Sequence, residues 1–283
     1  MRAIDTLHLG RRRWICCWQV GEVLIDPGPT LALEHVLAQL DGFEPRALLL
    51  THIHFDHAGG AGTLAARFPQ AEVYVHERGA PHMVDPTRLW SSAAQLYGEQ
   101  NMLSLWGEFV AVAPERLRIL RGGETFTVGG DRFDVLYTPG HAKHHVTYLH
   151  EDTAFAGDVA GVRIDTATPT LPPTPPPDID IEAWQRSIEL LRARRPQRLA
   201  LTHFGAYDDV ERQLDELEDR LERWAQSART QDRDAWVAEV EQDVRATVSA
   251  AELQSFLAAM PIDQSYAGLR RYWDRSALHR QEQ

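Results

Sequence analysis

Short apolar runs alternate with segments of helical periodicity over the first 75 residues of the chain. Four of the runs have the composition of buried strands: residues 14–18, 20–25, 47–50 and 73–75. Thr30 is placed to cap a helix whose apolar residues recur at helical spacing: Leu33, Val36, Leu37 and Leu40. A second helix is predicted over residues 63–68. This alternation of strands and helices indicates an α/β layered fold.

The pattern changes after residue 76. Residues 77–114, here called the insertion, place prolines and aromatic side chains on irregular or helical stretches, and we expect a partly helical cap with a small core of its own. Beyond the insertion, glycine pairs separate strand-like runs and predict hairpins. The predicted strands are residues 118–120, 124–128 and 132–136, followed by 146–149, 154–158 and 199–203.

Two further segments have a distinct composition. Residues 168–180, here called the strap, are proline-rich, so we expect an extended and stiff segment that packs over the domain near its site. Residues 206–283, here called the tail, predict an amphipathic helix and then a helix that Ser249 and Glu252 begin with a capping box. Residues 205–283 carry 17 acidic and 10 basic residues. We expect an acidic helical extension that packs on residues 1–205, with a dimer interface as the alternative role.

Composition narrows the class of protein. The chain has 283 residues, 43% of them hydrophobic and 25% charged, as in ordinary globular proteins. Its net charge of −12 disfavours nucleic acid as a partner, because phosphate binding relies on a basic surface. It has no run of 18 apolar residues and no apolar signal segment, and its two cysteines, Cys16 and Cys17, are adjacent in a predicted core strand. We therefore expect a cytoplasmic protein that acts on a small molecule, without membrane contact.

The candidate chemistry is concentrated directly after the apolar run 47–50. His52, His54, Asp56 and His57 lie within six residues. In an extended chain the first three would point to one side, and His57 would turn in as the chain bends. Burying four such groups without a cation would leave many polar atoms unpaired. Imidazole and carboxylate together suit Zn, Fe or Mn, so the cluster predicts a metal site.

Five separated motifs follow one another along the chain: Leu24-Ile25-Asp26-Pro27-Gly28, His52-x-His54-x-Asp56-His57, Thr138-Pro139-Gly140-His141, Phe155-Ala156-Gly157-Asp158 and Leu201-Thr202-His203. In order and local context they resemble the motifs of the metallo-β-lactamase-fold hydrolases. Residues 73–77, 84–90 and 172–181 resemble a bacterial branch related to hydroxyacylglutathione hydrolase-like proteins. The resemblance covers residues 1 to about 205. It implies a four-layer αββα sandwich, to which the tail would be a C-terminal helical addition.

The resemblance also implies the ligands of two divalent metal ions, with Zn first and Mn or Fe as alternatives. One metal would bind His52, His54 and His141. The second metal would bind Asp56, His57 and His203. Asp158 would bridge the two metals. Asp26 would hold the ligand loop in place without binding metal. Asp56 would also be the catalytic group, because it can orient the attacking hydroxide. Four residues are predicted to contact substrate: Lys143, His144 and His145, which follow the His141 motif, and His82 in the insertion.

Several activities are compatible with such a site. The leading hypothesis is a dinuclear hydrolase in which a metal-bound hydroxide attacks a small thioester or lactone. A phosphodiester or phosphotriester hydrolase is the second, although the basic arm or large extra domain of the processing nucleases is not visible here. A mononuclear-iron enzyme similar to the persulfide dioxygenases is the third. A non-enzymatic scaffold is disfavoured because all seven ligand positions carry ligand-type residues.

Overall fold

The computed structural model describes residues 1–281, which form two facing six-stranded sheets. In each sheet the spatial order of the strands follows their order in the chain. The first sheet comprises β1 (Arg2–Asp5), β2 (Cys16–Val20), β3 (Val23–Ile25), β4 (Ala47–Leu49), β5 (Glu72–His76) and β6 (Leu117–Leu120). The second comprises β7 (Thr125–Val128), β8 (Asp131–Tyr137), β9 (Val146–His150), β10 (Thr153–Phe155), β11 (Arg198–Leu201) and β12 (Gly205–Tyr207).

Helices cover the outer faces of both sheets. Those between strands of the first sheet are α1 (Leu33–Leu40), α2 (Phe55–Ala58), α3 (Ala61–Arg67), α4 (Ala80–Val84), α5 (Thr87–Tyr97) and α6 (Met102–Trp106). The later helices are α7 (Ile181–Arg194), α8 (Val210–Thr230), α9 (Arg233–Arg245), α10 (Ala250–Ala259) and α11 (Ile262–Gln281). Strands β3 to β6 run parallel, as do β10 and β11, because helical crossovers connect them.

Three apolar clusters hold the layers together. Alternation along the parallel strands sends Ile25 and Leu49 into the cluster between the sheets, and Leu24 and Leu48 into the cluster under α1 to α6. The third cluster joins the second sheet to α7 and the tail helices. The architecture is therefore the αββα sandwich that the sequence motifs implied, with helices added at the C-terminus.

The tail is firmly joined to the second sheet. The apolar residues predicted for one face of α8 are buried, and Ser249 and Glu252 form the predicted capping box of α10. Arg163, itself 1% exposed, donates from both terminal nitrogens to the carboxylate of Asp209, at 2.6 and 2.8 Å. Among residues 1–281 no helix combines the length and the apolarity that crossing a bilayer requires. The limit between the two regions at residue 205 stays a prediction.

Three local predictions were wrong. An extended chain was expected to continue to Asp56, but β4 ends at Leu49. Asp56 and His57 lie on α2, so a helical turn sets the direction of their side chains. Thr30 does not cap α1; its hydroxyl lies 2.6 Å from the Glu108 carbonyl, which ties the insertion to the domain. The run 20–25 is divided by a turn at Gly21, because its residues end β2 and begin β3.

Candidate metal centre

Five histidines and two aspartates converge where strands of both sheets end. His52 and His54 lie in the loop after β4, and Asp56 and His57 lie on the short helix α2 that follows it. The remaining three come from the second sheet, each after a strand end: His141 after β8, Asp158 after β10 and His203 after β11. All seven residues predicted as ligands are thus brought together from four separate segments.

Three ring nitrogens meet on one side of the cluster. His54 Nδ1 lies 3.0 Å from His52 Nε2 and 3.0 Å from His141 Nε2. One ring nitrogen carries either a proton or a lone pair, so hydrogen bonds cannot satisfy all three atoms together. Because these atoms lie within 4.8 Å of one another, they could hold a single metal ion.

A second group lies beside the first. Asp56 Oδ2 is 3.1 Å from His203 Nε2 and 3.9 Å from His57 Nε2, and these three residues could hold another ion. Asp158 stands between the groups: its Oδ2 is 3.3 Å from His141 Nε2, and its Oδ1 is 3.2 Å from His57 Nε2. This is the position that a bridging carboxylate would need.

In three of the histidines, a hydrogen bond at Nδ1, the ring nitrogen that points away from the cluster, determines the tautomer and the orientation of the ring. His141 Nδ1 lies 2.9 Å from the Pro173 carbonyl, and His203 Nδ1 lies 2.7 Å from the Trp14 carbonyl. A carbonyl only accepts, so Nδ1 carries the proton in both and Nε2 presents a lone pair to the cluster. His57 Nδ1 donates in the same way to Asp26 Oδ2 at 2.8 Å. Such partners orient metal-binding imidazoles.

Asp26 organises this layer without belonging to the ligand groups. The residue is fully buried and has a positive φ of 48°, which turns its carboxylate toward the loops that follow β4 and β11. It accepts hydrogen bonds from the Thr51 amide at 2.8 Å, the Thr51 hydroxyl at 2.6 Å and the Thr202 hydroxyl at 2.7 Å. Since the Thr51 hydroxyl donates to Asp26, it accepts from His52 Nδ1 at 3.1 Å, and His52 Nε2 also presents a lone pair.

The two sides of the cluster differ in charge. Burial, reinforced by neighbouring imidazoles, lowers the pKa of His54 to about 3 and the pKa of His52 well below its usual value, so both rings are neutral. Burial would also lower the pKa of His57, but the carboxylates of Asp158, Asp26 and Asp56 raise it well above its usual value. The carboxylates around His57 therefore favour positive charge on that side of the cluster.

Unpartnered atoms test whether these residues fit metal ions. His57 Nε2 and Asp158 Oδ1 are buried 3.2 Å apart, and among residues 1–281 neither makes a hydrogen bond of acceptable geometry, with the other or with any other atom. A buried polar atom left without a partner costs about 1–3 kcal/mol. Both atoms point into the cluster, where imidazole nitrogens and carboxylate oxygens form a donor set suited to Zn, Fe or Mn. The residues present fit a divalent-metal site.

Gly157 permits the close packing around Asp158. Its φ is +47°, and an added Cβ would lie 2.5 Å from Thr51 Oγ1 and 2.9 Å from His145 Nε2. Only glycine allows the turn that carries Asp158 to lie this close to the loop after β4.

A cavity of about 260 Å³ opens onto the cluster. His54, Asp56, His141 and Asp158 line one end, so this end is the accessible face of the metal centre. The other walls come from α5, the strap and the junction of α10 with α11. The insertion and the strap therefore lie beside the site, and the tail joins them.

Three of the four predicted substrate residues line this cavity: His82, Lys143 and His144. His145 is not among the lining residues, and the prediction for it is corrected. It is fully buried behind the cluster, where its Nδ1 lies 3.0 Å from the Thr138 hydroxyl. The two neighbouring side chains point differently: His144 lines the cavity, whereas the ring of His145 stacks behind the ligands, with its centroid 5.1 Å from that of His52.

Sequence analysis did not identify several of the lining residues. Arg88 and Tyr97 come from the insertion, and Met260, Gln264 and Ser265 come from the tail. No local motif marks them, because their proximity to the metal centre arises from helix packing between segments that are well separated in the sequence. The carbonyls of Trp14 and Pro173 were missed for the same reason.

Comparison with known proteins agrees with this geometry. Residues 21–203 match the family model of the metallo-beta-lactamase superfamily. A metallo-beta-lactamase fold-containing protein of Sulfurisphaera tokodaii is 28% identical over 196 residues, 68% of this chain and 72% of that protein. An archaeal superfamily protein from Sulfolobus tokodaii superposes with a TM-score of 0.70 at 22% identity, covering 95% of this chain and 97% of that one. The latter likeness shows the fold.

A hydroxyacylglutathione hydrolase of Xylella fastidiosa is 32% identical to this chain over 136 residues. The match covers 48% of this chain and 40% of that protein. The chain thus spans about two fifths of the length of the hydroxyacylglutathione hydrolases it matches.

Proposed function

This chain belongs to the metallo-beta-lactamase superfamily, and we propose that its site is a two-metal centre that hydrolyses a small thioester or lactone. The observation that carries this proposal is the pair of three-residue ligand groups with Asp158 between them. His52, His54 and His141 would hold one ion, and Asp56, His57 and His203 the other. Zn is the first choice of metal, with Mn and Fe as alternatives.

Two bound divalent ions would polarise the substrate oxygen and lower the pKa of a water ligand from about 15.7 to about 7. The residues of the chain supply the positioning. Asp56 keeps a side chain that is 21% exposed toward the cavity, so its carboxylate can accept a hydrogen bond from the attacking water and orient it. The buried Asp26 holds His57 on its Nδ1 side, and the Pro173 carbonyl holds His141.

A cysteine nucleophile is an unsuitable alternative in this chain. Cys16 and Cys17 are fully buried in β2, and burial raises the pKa of both thiols. Neither lines the cavity, so neither can reach a substrate there.

Contacts to the substrate would come from the cavity rim. Lys143 is the single lysine of the chain, and its ammonium lies 3.3 Å from Asp178 Oδ1 at the strap. His144 is 5% exposed and faces the same space. We propose that these two residues contact the polar end of the substrate, while His82 contributes from the insertion.

Acyl hydrolysis is favoured over phosphoester hydrolysis for two reasons. The relatives with the higher identity are named for the hydrolysis of an acyl group from glutathione. The chain has a net charge of −12, which disfavours a polyanionic substrate such as nucleic acid. We propose a small-molecule substrate and no nucleic-acid or membrane partner; a homodimer stays a prediction.

Elemental analysis of protein purified without added metal tests the centre. About two Zn or Mn ions per chain are expected, whereas about one iron would favour a persulfide dioxygenase-like enzyme. Thioester, lactone, phosphodiester and β-lactam substrates should then be compared on the same preparation. Protein that stays metal-free and inert after reconstitution with Zn, Mn and Fe would contradict the proposal.

A further inference from the structure

We propose that the cavity beside the metal centre receives an apolar acyl group of the substrate, and that Leu96 and the α10–α11 junction limit the size of that group. This inference rests on the proposed acyl hydrolysis and names its substrate class. It gives the tail, which lies beyond the matched residues 21–203, a direct part in substrate selection.

The wall formed by α5 carries an apolar stripe beside the polar side chains of Arg88 and Ser92. Leu89, Ala93 and Leu96 follow one another at intervals of four and three residues, so they lie on one face of the helix, and all three line the cavity. Leu96 is 37% exposed, and its exposed surface lies where it lines the cavity. A ligand in the cavity would cover it.

The tail forms the facing wall. Met260 and Pro261, at the junction between α10 and α11, line the same cavity. The ligand residues His54 and Asp56 line it too. A substrate whose carbonyl reaches those ligands would therefore extend its acyl group between α5 and the junction, where apolar burial is favourable.

Close packing holds the tail wall in place. An added Cβ on Gly268 of α11 would lie 2.0 Å from the Thr174 carbonyl of the strap, so the helix and the strap meet at backbone distance. The Thr174 hydroxyl donates to the Ser265 carbonyl at 3.1 Å, and Arg275 donates to the Ile179 carbonyl at 2.9 Å. The junction is thus fixed against the same strap whose Pro173 carbonyl orients His141.

The size of the cavity limits the acyl group. Its volume of about 260 Å³ is slightly below the range of about 300–1,000 Å³ that is typical of pockets for drug-sized ligands. Each buried methylene contributes about 0.8 kcal/mol, which corresponds to about a fourfold rise in kcat/KM while room remains. A preference for medium acyl groups over acetyl is therefore expected.

The test compares Leu96→Trp with Leu103→Trp on thioesters of one thiol carrying acetyl, butanoyl or hexanoyl groups. Leu103 is a matched control because it lies on α6 of the same insertion, is 57% exposed and does not line the cavity. The Leu96 variant should lower kcat/KM for hexanoyl at least tenfold and for acetyl less than twofold, with unchanged metal content. The Leu103 variant should match the wild type. Equal effects on all chain lengths would overturn the inference.

Binding of the acid product separates this inference from the proposed function. Calorimetric titration of the metal-loaded protein with hexanoate and acetate should show hexanoate binding at least tenfold more tightly, and Leu96→Trp should abolish that difference. If no thioester or lactone is hydrolysed but this binding pattern holds, the hydrolase proposal fails and the apolar subsite stands. If hydrolysis occurs but neither rates nor binding depend on acyl length, the subsite is wrong and the hydrolase stands.

Discussion

The metal centre and the wall of the cavity are built in different ways. The centre draws its seven side chains from short motifs at strand ends. Hydrogen bonds to backbone carbonyls orient the rings of His141 and His203. Hydrogen bonds to Asp26 orient the ring of His57 and the loop that contains Thr51. The wall combines α5, the strap and the α10–α11 junction, which line one cavity, and α11 approaches the strap at backbone distance. Changes at the centre should therefore abolish metal binding, whereas changes at the wall should alter stability or substrate choice in a graded way.

The largest expected effect follows removal of a ligand. In His52→Ala and Asp158→Ala, metal content should fall toward zero and hydrolysis should decrease on the order of a thousandfold, as when a key electrostatic group of an active site is lost. Elemental analysis and kinetics measure both. His35→Ala is the matched control because His35 is exposed on α1. A His52→Ala protein with full metal content would contradict the ligand assignment.

A change at Asp26 tests how far the hydrogen bonds behind the ligands contribute to metal affinity. Asp26→Ala removes the acceptor for His57 Nδ1, Thr51 and Thr202, so metal affinity should fall about 10–100-fold. Competition with a chelator measures this affinity. The exposed Asp41→Ala serves as control. Unchanged affinity would show that the loop after β4 holds its own geometry.

Gly268 tests the packing of the wall. At an unobstructed helix position, Gly→Ala raises stability by about 1 kcal/mol. Here the new Cβ would collide with the Thr174 carbonyl, so Gly268→Ala should instead lower the free energy of unfolding by about 1–3 kcal/mol. Denaturant titration reads the sign directly. A stabilised variant would mean that α11 and the strap are not in backbone contact.

The smallest change is expected at Lys143. Its side chain is 53% exposed, and its ion pair with Asp178 is worth less than about 1 kcal/mol. Lys143→Gln should therefore leave the unfolding free energy nearly unchanged, while KM rises if the ammonium contacts substrate. Arg78→Gln, at the neighbouring surface, is a suitable control.

Because Lys143 is the single lysine, an amine-reactive label should modify only it and the N-terminus, and bound product should slow that reaction.

Local sequence patterns predicted the α/β alternation and the cluster at residues 52–57, whereas the resemblance to the family motifs implied the sandwich and the ligand assignment. Continuous apolar runs such as Ala47–Leu49 are buried on both faces, so composition alone identifies them as strands. Local patterns were less reliable where a residue distant in the sequence competes for the same side chain. The hydroxyl of Thr30 contacts the Glu108 carbonyl of the insertion and does not cap α1. Asp56 is directed by the helical turn of α2, which no alternation of strand residues could predict.

Local sequence was sufficient to show which chemical groups the protein concentrates, because histidine and aspartate at strand ends are a local property of the chain. It also determined the layered fold, since strand and helix periodicities are local too. Tertiary packing, by contrast, determines that His144 lines the cavity while His145 does not, and that Met260 of the tail lines the same cavity as Leu96 of the insertion. Leu96 and Met260 are 164 positions apart, and long-range packing of that kind leaves no periodicity in the sequence to detect.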